Sequence, residues 1–117
     1  MKYDKENVFA KIIRGEIPSK KIYEDDKVLA FYDLYPICPI HCIVIPKGEY
    51  VDYADFVQNA GAEEISNYFT KINEIAKGLS LSTDGFRLCT NRGALSGQTI
   101  FHFHTHILAG AKLSNPC

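Results

Sequence analysis

The apolar positions of this chain change period along its length, and the changes mark out its elements. Val8, Phe9, Ile12 and Ile13 fall at helical spacing and predict a short helix over Asn7–Arg14, with Asp4 as a candidate cap and Gly15 as a stop. Pro18 and Ser19 break the chain. Lys21–Glu24 then reads as a short strand, Asp25-Asp26 as a turn, and Val28–Asp33 as a second strand. Two prolines keep Tyr35–Pro39 irregular. A third strand, His41–Ile45, follows. Glu49–Gly61 has no clear period and reads as loop with a helical turn. In Ala62–Lys77, by contrast, Ile65, Tyr68, Phe69, Ile72, Ile75 and Ala76 make one helical stripe that stops at Gly78. Turn residues Ser82–Gly85 lead into a strand over Phe86–Thr90. Asn91–Gly97 is a glycine-bearing loop, and Thr99–Leu108 alternates as a last strand. The tail from about Ala109 looks irregular.

A short helix, three strands, a long helix and two more strands make an α+β domain. Its sheet of five strands should be mostly antiparallel, with the long helix on one face. The length of 117 residues fits a single domain spanning 1–117 that folds without a metal or disulfide. Thirteen basic and 14 acidic residues give a formal charge of −1, which argues against a general nucleic-acid binder and leaves any phosphate recognition local. No apolar run is long enough to cross a membrane, and the charged amino terminus has no secretory core, so the expected location is the cytoplasm. Cys38, Cys42, Cys89 and Cys117 form no CxxC pair and read as reduced thiols.

The chemistry concentrates in His102-Phe103-His104-Thr105-His106. Spacing i, i+2, i+4 on a strand puts the three imidazoles on one face, with Phe101, Phe103 and Ile107 on the other. Each imidazole carries a donor and an acceptor that must be satisfied, so such a face makes a poor core. One reading is a metal site that His41 could complete. Against it, three same-face residues span about 13 Å at strand rise, too far for one ion. The other reading is nucleophilic catalysis, because a neutral imidazole can attack phosphorus while its neighbours orient it or donate protons. The preceding loop favours the second. Asn91-Arg92-Gly93 and Gly97-Gln98-Thr99 place glycines, amides and a hydroxyl directly ahead of the histidines.

Gly97-Gln98-Thr99-Ile100-Phe101-His102-Phe103-His104-Thr105-His106-Ile107-Leu108, with Asn91-x-Gly93 before it, resembles the signature of the histidine-triad (HIT) superfamily. Val8–Ser19, Phe31-Tyr32-Asp33-Leu34 and His41 with Ile43–Lys47 resemble the opening segments of its Hint branch. The likeness runs from about residue 7 to 110. It implies a purine nucleoside phosphoramidase that cleaves a P–N bond through a covalent nucleotidyl-histidine, without metal or other cofactor. By position it implies His104 as nucleophile and His106 at the phosphate oxygens or the leaving group. His102 would orient His104 through its carbonyl, and His41 would back the cluster. Asn91, Gly97, Gln98 and Thr99 would meet the phosphate or leaving group, Asp33 the ribose, and Val8, Phe9, Ile12, Phe31 and Leu34 the purine. It also implies a homodimer with joined sheets. Dinucleoside polyphosphate hydrolysis is the sibling activity. A nucleotide-binding or zinc-binding protein without turnover is the alternative of another class. Thr99 stands where Hint proteins usually carry serine, Ala109-Gly110-Ala111-Lys112 replaces their Gly-Gly-Arg, and the chain has no tryptophan.

Overall fold

The computed structural model describes residues 1–114; the end of the expected tail, with Cys117, lies outside the described residues. The chain forms α1 (Val8–Ile13), β1 (Lys21–Glu24), β2 (Val28–Tyr32), β3 (Ile40–Pro46), α2 (Tyr53–Asn59), α3 (Ala62–Gly78), β4 (Arg87–Cys89) and β5 (Thr105–Ala109). The five strands make one sheet in the order β1-β2-β3-β5-β4, and every neighbouring pair is antiparallel. The expected α+β architecture with a five-stranded sheet is therefore what the chain adopts. Among the described residues no helix is long and apolar enough to cross a membrane.

Strand alternation sorts the side chains to two sides. Val28 and Ala30 of β2, Cys42 and Val44 of β3, and Ile107 of β5 join Tyr68, Ile72, Ile75 and Ala76 of α3 in the larger core. Leu29, Phe31, Ile43 and Ile45 point the other way, against Phe9 and Ile12 of α1. The central strands are covered on both sides, which explains their continuous apolar run. Tyr68 is held in the larger core by its hydroxyl, 2.8 Å from Val44 O and 2.8 Å from Thr105 Oγ1.

Turn chemistry follows the residues expected to supply it. Asp25 Oδ1 accepts from the backbone N–H groups of Lys27 and Val28, closing the β1–β2 hairpin. The cap of α1, however, is Asn7, whose side chain accepts from Ala10 N at 2.9 Å; Asp4 instead receives Glu6 N. The segment read as loop contains α2, capped by Asp52, which accepts from Asp55 N.

The last strand is the main departure. The alternating run Thr99–Leu108 enters the ladder only at Thr105. In the β3–β5 register the last rung is Val44 opposite Thr105, and extending it would bring Phe103 opposite Pro46. Pro46 has no N–H to give, so the ladder stops there. The Phe103 N–H goes to Tyr50 O at 2.7 Å instead, and Thr90 Oγ1 caps the His104 carbonyl at 2.7 Å. The inside–outside alternation continues off the ladder. Phe103 is buried and stacks on Phe56 with ring centroids 4.7 Å apart, while Phe101, expected in the core, is only half-buried.

Candidate active site

The three histidines straddle the point where the strand leaves the sheet. His106 lies on β5, opposite Ile43 of β3, and its ring reaches diagonally to His41. His104 and His102 precede it on the segment that Pro46 keeps off the ladder. A cavity of about 340 Å³ opens beside them on the α1 side of the sheet. Phe9, Ile12, Phe31 and Ile43 form its apolar interior, and Val8 and Leu34 stand at its more exposed rim. Asp33, Asn91, Gly97, Thr99, His104 and His106 line the polar end. Residues expected from distant parts of the chain thus meet around one cavity.

Hydrogen-bond partners assign a tautomer to each imidazole. His102 Nε2 faces Pro46 O at 2.7 Å and must donate to it, so its Nδ1 is an acceptor. His104 Nδ1 faces the carbonyl of His102 at 2.7 Å and likewise donates, which leaves the lone pair on Nε2. His41 Nδ1 accepts the Ile37 N–H, so its Nε2 carries the proton. That proton is given to His106 Nδ1 at 2.8 Å, which leaves the His106 N–H on Nε2. Asp33 Oδ2 lies 3.4 Å from the same His41 nitrogen. The outcome is a nucleophilic nitrogen on His104 next to a donor on His106, their rings 5.1 Å apart.

These assignments require neutral rings, and the surroundings favour them. Burial pushes His102 down to about 4, with the nearby His104 adding to it and the Pro46 carbonyl opposing. Burial likewise takes His106 to about 4, helped by His104 and His41 and opposed by Asp33. His104 is lowered by burial, against its bond to His102 and the charge of Asp33. His41 is lowered by burial, with Asp33 opposing.

Not every expected residue reaches the cavity. Gln98 is buried and turns inward. Its amide nitrogen, Nε2, donates to Val51 O and Ile100 O, and its Oε1 accepts from Gly93 N. It braces the loop instead of facing a phosphate. The glycines act through conformation: Gly93 and Gly97 adopt φ +89° and +101°, and their N–H groups are bonded within the protein, to Gln98 Oε1 and Ala94 O. His102 and His41 stand behind the cavity wall. Arg92 pairs at the surface with Asp52, 3.2 Å away.

For a metal, the best-placed donors are Asp33, His41 and His106, whose ligand atoms lie within 4.8 Å of one another. The His41–His106 hydrogen bond already fills that space with a proton. His102 has both ring nitrogens engaged, so the three histidines of the run do not form a metal set.

Sequence reasoning did not single out Pro18, Ser19, Tyr32, Tyr35, Ile43 or Ile100 for the site, and these complete the lining. Ser19 Oγ is buried with no partner among the described residues. It also passed over Tyr3, whose hydroxyl lies 2.6 Å from His102 Nδ1. A single tyrosine in a charged terminus carries no periodic signal.

Comparison with known proteins agrees over nearly the whole chain. The HIT domain family matches residues 14–113. An uncharacterized HIT-like protein of Rickettsia prowazekii is 57% identical over 111 residues, covering 95% of this chain and 92% of that one. A histidine triad protein from Clostridium difficile superposes with a TM-score of 0.86 at 44% identity, covering 99% of each chain. A HIT family hydrolase from Legionella pneumophila superposes with a TM-score of 0.89 at 34% identity, over 95% of this chain and 98% of that one.

Proposed function

The chain belongs to the HIT domain family, and from that premise we propose that it is a hydrolase of purine nucleoside phosphoramidates. The observation that carries the reading is the bond from His104 Nδ1 to the His102 carbonyl, which leaves His104 Nε2 as a lone pair at the cavity wall. The apolar interior takes the purine between Phe9, Ile12, Phe31 and Ile43, with Val8 and Leu34 at the rim. Asp33 accepts from the ribose hydroxyls, and Asn91 and Thr99 meet the phosphate or the leaving group from the loop side. Gln98 contributes by holding that loop.

His104 Nε2 attacks the α-phosphorus and forms a P–N bond. The substrate's own P–N bond breaks, and its electron pair leaves with the amine. The attacked ring becomes cationic, and the His102 carbonyl, already bonded to its Nδ1–H, stabilises that charge. The His106 Nε2–H, which can bond a phosphate oxygen on the approach, passes its proton to the departing nitrogen, which leaves as a neutral amine. Water then attacks the nucleotidyl-histidine and gives a proton back to His106, releasing the nucleotide and restoring neutral His104.

The test is amine release from an adenosine phosphoramidate. Turnover by the wild type and none by a folded His104→Ala variant is expected; full activity in the variant would sink the mechanism. Two copies joined through the exposed edge of β4 make the expected homodimer, with Leu88, 42% exposed, on that edge. A monomeric mass in light scattering at micromolar protein would remove it. The enzyme belongs in the cytoplasm on this reading, with Cys38, Cys42 and Cys89 as free thiols.

A further inference from the structure

The segment ahead of α1 is built into the site. Asp4 O receives both the backbone N–H of Asn7, at 3.1 Å, and its Nδ2, at 2.8 Å; Asp4 Oδ1 receives Glu6 N at 2.9 Å. This turn carries Tyr3 back across the fold to residue 102. The Tyr3 ring stands edge-on to the His102 ring, with centroids 5.6 Å apart, and its hydroxyl lies 2.6 Å from His102 Nδ1. Because His102 Nε2 holds the ring's one proton for Pro46 O, the phenol must be the donor. Burial raises the Tyr3 phenol above its ordinary value, which keeps it protonated and able to donate.

We propose that Tyr3 is a positioning residue for His104, acting through His102. The His102 side chain is fully buried and anchored at both ring nitrogens, by Tyr3 on one side and Pro46 on the other. With the ring fixed at both ends, the peptide carbonyl of the same residue is fixed too. That carbonyl receives the His104 Nδ1–H and so decides which His104 nitrogen faces the cavity. Without the phenol O–H, a buried acceptor is left unpaired, a state that buried groups leave by moving or admitting water. The His102 carbonyl then loses its setting, and a second His104 tautomer, with the proton on Nε2 and no lone pair for attack, becomes populated. Tyr3 does not line the cavity, so substrate binding is untouched.

The inference rests on His104 as nucleophile, and its test separates the two. Tyr3→Phe keeps the ring and its packing while removing only the hydroxyl. In the full-length protein, two quantities are measured: steady-state amine release from an adenosine phosphoramidate, and the ring-nitrogen NMR signals of His104. Expected are a fall in kcat of roughly tenfold with KM within about twofold, and a shift of the His104 signals from a pure Nδ1–H tautomer towards a mixture. A variant with wild-type kcat and wild-type ring signals, differing only in melting temperature, would overturn the proposal. So would unchanged ring signals alone. The NMR arm needs no turnover: a wild type inactive on the phosphoramidate would count against the reaction and still leave Tyr3 tested.

Discussion

Lowering the pH from 7 to 5 should strip this protein of a large part of its stability through its buried histidines. His102 and His106 are each held near 4 in the folded chain, against about 6.5 when exposed. A folded value below the unfolded one means that the unfolded chain takes up protons first. Stability is then intact above pH 6.5, falls as the pH drops through that value, and levels off only near pH 4. At pH 5, about 1.5 units below the unfolded value, the cost is about 2 kcal/mol per ring, so the pair cost about 4 kcal/mol. His41 and His104 are shifted the same way and add to the loss. Domains of this size are stable by about 5–15 kcal/mol, so the effect is a large fraction of it. The window is clean because carboxylates titrate lower; Glu24, for example, is held at about 2 by Lys21 and Lys47. Urea unfolding at half-unit steps from pH 7 to 5 measures it. Below pH 6 the slope should be about 2.5 kcal/mol per pH unit, the uptake of nearly two protons. His106→Gln should lower it by about 1.4 kcal/mol per unit. A wild-type stability that changes by less than about 1 kcal/mol across the range would refute the neutral, buried rings on which the tautomer assignment stands.

The same burial sets two further expectations. The acid limb of kcat/KM should have its midpoint below about 6.5, since attack needs neutral His104 and burial lowers it; a midpoint above that value would mean that His104 is not the titrating group. Gln98→Ala should destabilise the protein by about 2–3 kcal/mol, because three hydrogen bonds to Val51, Ile100 and Gly93 go with the amide. It should also raise KM for the phosphoramidate by loosening the loop that carries Asn91 and Thr99. An unchanged urea midpoint would show that the loop is braced by something else.

Most of the sheet was legible because its strands have strong local reasons to form. Asp25 announces its hairpin, and the runs in β2 and β3 are apolar enough to need cover on both sides. The α3 stripe was equally plain. The short helix α2 was not, because only Phe56 of its seven residues is buried, so no stripe exists to be read. Its signal was the cap, Asp52 three residues before Asp55. The last strand was read too long for a different reason. Alternation reports which way side chains point, and Phe103 does point inward; it does not report whether a neighbour can pair. Pro46, distant in sequence, decides that. Gln98 shows the limit for site residues. Its place in the loop suggested a ligand contact, but two carbonyls and an N–H brought together only by the fold claim its amide. Tyr3 is a contact across 99 residues with nothing local to predict it.

The two ends of the sheet are unequal, and this bears on how the molecule behaves in a crowd. The outer strand β1 pairs irregularly with β2 between Lys21 and Tyr23, and the charged residues Lys21 and Glu24 stand at its two ends. A break in register and charged residues at both ends make that border a poor template for another chain. β4, at the opposite border, is short and regular and presents Leu88. In the homodimer proposed above, growth through β4 would use the same border on both copies and leave only the two β1 borders outside. Such an association is closed after a single step, so the chain can present a pairing strand without seeding a fibre.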